Sequence, residues 1–229
     1  MGIFSVTLAQ AQALIFNVPA PGIMETSHLD LEIPHYLRPW HTASNPTEFF
    51  SLRGVYGIGS NGEIGLNVGP FNYRHINHSP AFVDAAVKFR LVDTHIGTGN
   101  AFTALHLIAG DSVGIGFNNT PSGHVRNIVY MAGSMEFLST GTRISAGPYY
   151  ATRDIFDAYA RTGAQVTFEQ HIPLVNGLTL AADWYSGNGG LFTPGFTWNN
   201  NRFSAGIGYG LANTGHKDDL VTLWASFQF

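Results

Sequence analysis

The chain has no cysteine, so neither a disulfide framework nor a thiolate site enters its design. Charge is scarce as well: only 11% of residues are Asp, Glu, Lys or Arg, against roughly 25% in an average soluble domain. A surface dense in Lys and Glu cannot be assembled from that supply. The balance is mildly acidic, with a formal net charge of −4. No basic patch with interleaved aromatics occurs, which argues against nucleic acid as a partner. Long apolar runs are missing too. No stretch reaches the ~18 consecutive apolar residues of a transmembrane helix, so the one membrane-spanning form open to the chain is a closed β-barrel.

What the chain does have is 27 Gly, 13% aromatics and persistent alternation. The last stretch, Asp218–Phe229, carries the pattern most plainly. Val221, Leu223, Ala225, Phe227 and Phe229 share one face, and Thr222, Trp224, Ser226 and Gln228 share the other. Period two means a strand with one apolar face. A strand that stops on Phe suits the aromatic girdle of an outer-membrane barrel, and it resembles the C-terminal signature that the barrel assembly machinery reads.

The same alternation starts near Leu29 and scarcely stops. Ile64, Leu66 and Val68 oppose Glu63, Gly65 and Asn67; Val83, Ala85, Val87, Phe89 and Leu91 oppose Asp84, Lys88 and Arg90. Around Leu105–Leu107 the pattern is weaker. About twelve such strands are expected, an even number as bacterial barrels require, with no charge on any apolar face. Wide connections at Pro39–Thr47, Asp111–Ser122, Arg153–Ala158 and Leu211–Lys217 alternate with tight ones at Gly59–Gly62, Ser139–Gly141, Val175–Gly177 and Asn199–Asn201. Arg74–Ser79 and Ser186–Gly190 are moderate, and Val92–Gly99 is an exception. Short turns on one side and longer loops on the other mark an outer-membrane barrel, with both termini on the periplasmic, short-turn side. The fold class expected is therefore all-β, a closed antiparallel transmembrane barrel over 23–229. Residues 1–22 form a separate apolar segment, either a signal remnant with Ala-Gln-Ala at Ala9–Ala11 or a plug of the lumen.

With apolar side chains turned to lipid, the charges turn inward. The expected lumen-lining residues are Asp30, Glu32, Glu63, Asp84, Glu136, Glu169 and Asp183, against Arg53, Lys88, Arg90, Arg126, Arg143 and Arg161, with His171 beside them. Acids and bases nearly balance, so the path has no strong preference for either sign of ion. A barrel of roughly eight strands is filled by its own side chains, and one of roughly sixteen holds an aqueous channel; twelve lies between and predicts a narrow, ion-paired lumen. Chemistry beyond that is thin. No HExxH, phosphate loop or GxSxG elbow occurs, so no catalytic residue, metal or cofactor is expected. Ser60-Asn61-Gly62 echoes part of a phospholipase motif but reads as a hairpin turn. His28, Asp30 and Glu32 read as polar groups of one strand face.

Ser51–Asn67, SLRGVYGIGSNGEIGLN, together with Gly177–Asp183, Phe192–Gly210 and the strand ending on Phe229, resembles the outer-membrane transporters associated with the meta-pathway of phenol degradation. Ala109-Gly110-Asp111 stands where that family would place a Pro-Thr-Gly turn. The resemblance implies passage of small hydrophobic or aromatic molecules. The expected function is a small outer-membrane channel in contact with membrane lipid and a small-molecule solute, and not an enzyme. The alternatives are a structural or surface-binding barrel with a closed lumen and, less favoured, an outer-membrane lipid hydrolase.

Overall fold

The computed structural model of the chain describes residues 15, 18–39, 48–72, 81–96, 103–117, 125–152, 162–187, 190–200, 202–215 and 219–229. Its strands are β1 (Leu29–Leu37), β2 (Glu48–Ile58), β3 (Gly62–Asn72), β4 (Ala81–Ile96), β5 (Thr103–Phe117) and β6 (Val125–Phe137). They continue as β7 (Thr142–Ala151), β8 (Thr162–His171), β9 (Leu178–Tyr185), β10 (Leu191–Asn200), β11 (Phe203–Ala212) and β12 (Leu220–Gln228). Each strand pairs antiparallel with the next, and β12 returns to β1, with Asp30 opposite Gln228 and Leu37 opposite Val221. The result is one closed barrel, the fold class expected from the alternation.

Closure fixes the sense of the pleat. Val87 is 38% exposed and its neighbour Lys88 only 3%. Leu31, Ile33, Leu66, Met131, Ile207 and Phe227 point outward and are exposed, whereas Glu32, Ser134 and Ser226 are buried inside. A soluble sheet sandwich would show the reverse, with its apolar face in the core. The rims differ as well. At one rim strands are joined through the short turns 59–61, 138–141 and 172–177, and at the other the sequence between consecutive strands is mostly longer. Aromatic rings gather at both. Phe227 and Phe229 meet at 4.8 Å between centroids, and Trp198 and Phe203 at 6.0 Å, beside the short turns. Trp184 reaches Asn213, and the Tyr209 hydroxyl meets Asp219, at the other rim.

Two expectations are corrected. The exception at Val92–Gly99 and the wide loop at Asp111–Ser122 are largely strand, since β4 continues to Ile96 and β5 to Phe117. A register shift between Arg90 and Val92 leaves Leu91 and Val92 both exposed; a bulge of this kind bends the strand and interrupts the alternation by which it would be recognised. The second correction concerns the apolar face. Asp111 lies opposite Val87 and Val129, both outward, so a charge does stand on that face, with Asn127 Nδ2 donating to its Oδ1 at 2.6 Å.

Gly177 shows how tightly a short turn is set. Its φ is +79°, and a Cβ there would lie 2.0 Å from the Asn199 carbonyl oxygen. At Gly59, with φ +57°, nothing lies within 4 Å of a Cβ. Gly59→Ala should therefore cost only about 1–2 kcal/mol, the left-handed conformation alone. Gly177→Ala should exceed it by about 1 kcal/mol or more, as read by urea unfolding of the two variants side by side.

Candidate functional site: the barrel interior

The inward charges are arranged by strand register. Glu32 and Arg53 are cross-strand partners on β1 and β2, and the Arg53 guanidinium donates to the Glu32 carboxylate at 2.7 Å. Glu63 and Lys88 are partners on β3 and β4, with Nζ 2.8 Å from Oε1. Arg143 and Glu169 are partners on β7 and β8, with Nε donating at 2.6 Å, and Glu136 flanks Arg143 from β6. Directly opposed side chains on one face lie within reach of each other. Burying such charges without partners would cost several kcal/mol each, so the ladder that closes the wall also brings these three pairs together.

The remaining candidates fall around this belt. Asp84 is buried and accepts from Asn67 Nδ2 at 2.9 Å. Asp30 and Asp183 are also buried on the inner face. Arg90 turns to Asp93 beside the β4 bulge, and His171 is half-buried at the end of β8 next to Gly141. Arg126 occupies β6 opposite Gly114, its backbone alone being described. Arg161 lies outside the described residues. Ser60 and Asn61 sit in the β2–β3 turn, where the Asn61 carbonyl accepts from the Arg90 amide.

The opposite half of the wall is built differently. From β9 to β12 the inward residues include Ala181, Thr193, Gly195, Thr197, Ser204, Gly208, Thr222 and Ser226. Small side chains leave space, and Ile15 and the stretch Val18–Met24 occupy it. Ile15 and Ala20 are buried against Ala181 and Trp224, with the Trp224 ring lying across Gly206, where a Cβ would come within 2.3 Å of Nε1. Three wall charges grip the segment's backbone. Val18 N donates to Asp183 Oδ2 at 2.9 Å, Lys88 Nζ donates to the Ala20 carbonyl at 3.1 Å, and Met24 N donates to Glu63 Oε2 at 2.8 Å. An extended segment without periodicity carries orphan amides, and charge-assisted bonds of this kind satisfy them. Asp183, Lys88 and Glu63 were expected as lumen residues, but nothing in their spacing marks them as clamps on one peptide.

Between that segment and strands β2–β6 lies a cavity of about 240 Å³. Pro19 forms its segment side, and Arg53, Asn67, Asp84, Lys88 and Tyr130 form part of its wall. The Tyr130 ring lies across Gly110, where a Cβ would stand 2.3 Å from the hydroxyl oxygen.

A closed, twelve-stranded antiparallel barrel with an apolar outside and a charged, partly filled inside is the class these features define. No protein-family model matches the chain, and no curated protein matches it. Among solved structures, the chain is similar to KdgM porin, with a TM-score of 0.57 and 8% sequence identity over 87% of this chain and 99% of that one. It is likewise similar to KdgM porin in complex with disordered oligogalacturonate, with a TM-score of 0.57 and 9% identity over 87% and 99% of the two chains. The likeness is one of fold, and that fold is the twelve-stranded barrel.

Lys88 bonds both Glu63 and the Ala20 carbonyl, which makes it the strictest test of this interior. Lys88→Met leaves Glu63 as a buried, uncompensated charge and should cost about 3–5 kcal/mol. Adding Glu63→Gln should recover a large part of that loss, measured as a double-mutant cycle in urea.

Proposed function

We propose that the protein is a small outer-membrane channel through which small solutes pass passively, hydrophobic or aromatic ones among them. The observation that carries this reading is the inverted pleat: an exposed apolar belt outside, with Leu66 at 52% and Ile207 at 52% exposed, around an interior of paired charges. Such a belt is stable where lipid covers it, and a closed barrel leaves no unpaired edge there. The porin fold neighbours support the same reading. The long-loop rim would then face the exterior and the short-turn rim the periplasm, with the strand before Phe229 offered to the barrel assembly machinery. The hydrophobic or aromatic cargo comes from the family resemblance of Ser51–Asn67.

Residues 1–22 belong to this proposal as a plug. The small-residue half of the wall accommodates Ile15 and Ala20, and the three charge clamps hold the backbone at Val18, Ala20 and Met24. Deleting Met1–Gly22 should raise uptake of a small aromatic solute into liposomes carrying the protein by several-fold. Uptake no faster than in empty liposomes, for the full-length and shortened chains alike, would favour the closed structural barrel instead.

The lipid contact has its own test. Val87→Arg should destabilise the protein in lipid by about 2–4 kcal/mol if Val87 lies near the bilayer midplane. A cost below about 0.5 kcal/mol, the range of ordinary soluble surfaces, would remove the membrane from the account.

A further inference from the structure

We infer that the cavity beside Pro19 is a binding site for a single neutral, hydroxyl-bearing ring. The inference rests on the channel reading and names the chemistry of its cargo. Size comes first. At about 240 Å³ the cavity falls below the roughly 300–1,000 Å³ of sites for drug-sized ligands, so it takes one ring and not a chain of them.

Charge is the second constraint. Both cations of the lining are already committed, Arg53 to Glu32 and Lys88 to Glu63 and the Ala20 carbonyl. An anionic ligand would have to break one of these pairs or sit beside Asp84, and a cationic one would stand against Arg53 and Lys88, so the mixed lining penalises either sign of charge. A neutral ligand escapes that penalty. Polar recognition nevertheless remains abundant. Asp84 and Asn67 Oδ1 offer acceptor oxygens to a hydroxyl proton, Asn67 Oδ1 having no hydrogen-bond partner among the described residues, and Ser112 is also within the lining. A purely apolar guest would bury these groups without replacing their hydration, which is costly.

Shape is the third. Tyr130 is laid flat by the missing side chain at Gly110, and Val55, Ala86 and Ile128 surround it with apolar surface. A flat platform beside a polar wall matches a ring with an apolar face and hydroxyls at its edge. Two sources share that chemistry: phenols and monosaccharides.

The test is calorimetric titration of the full-length protein in detergent with catechol, glucose, benzene and benzoate. Catechol or glucose should bind, and which of the two does so identifies the source; benzene and benzoate should bind more weakly. Tyr130→Leu should weaken binding by about fivefold to tenfold, the scale of one aromatic contact. Pro19→Trp fills the cavity from the segment side, leaves every wall residue intact and should abolish binding, with strand content by circular dichroism confirming that both variants are folded. Binding by catechol or glucose without uptake through the barrel lacking Met1–Gly22 would leave the site standing and remove the channel. Four ligands binding equally, none binding at millimolar concentration, or binding unchanged in both variants would overturn the site.

Discussion

Everything in this molecule depends on the ladder between β1 and β12. Once Leu29–Leu37 pairs with Leu220–Gln228, the sheet has no edge left, and every strand's two faces are assigned at once. A slip of one residue anywhere would turn an entire strand inside out. The exposed belt and the charged lining are thus two readings of one hydrogen-bond pattern.

The interior inherits its order from that pattern. Glu32 meets Arg53, Glu63 meets Lys88 and Glu169 meets Arg143 because register places them opposite one another. Between Thr193 and Ser226 the same inward positions are mostly small or neutral. Charges on one half and space on the other give the lumen a gripping side and a receiving side. An extended apolar peptide fits between them only if its amides find charged partners, which Asp183 and Glu63 supply.

Much of this was legible in the alternation of apolar and polar residues. Strands such as Ile64–Val68 and Val221–Phe227 declare their faces residue by residue, and their number and closure follow. The far half of β5 did not declare itself, because its inward positions include Gly110, Ser112 and Gly114, residue types that ordinarily mark loops. Gly110 has no side chain because Tyr130 folds over it from the neighbouring strand, a reason that exists only in three dimensions. Asp111 hides this strand further, since a charge on an outward face breaks the alternation that marks the other strands. The inward charges were recognisable as a set, but their partners were not, because pairing depends on register across connections of varied length. The path of Val18–Met24 leaves no trace in the pattern: the charged clamps on it act on backbone groups, which every sequence has.

The bond between Val18 and Asp183 spans 165 positions of the chain, and Met24 meets Gln228 across 204. Contacts of such separation are slow to form, since loop closure must precede any gain from them. The groups that receive the segment come from β3, β4, β9 and β12 and stand together only after the cylinder has shut. Val18–Met24 therefore settles last, and its docking is the final event of folding rather than its start.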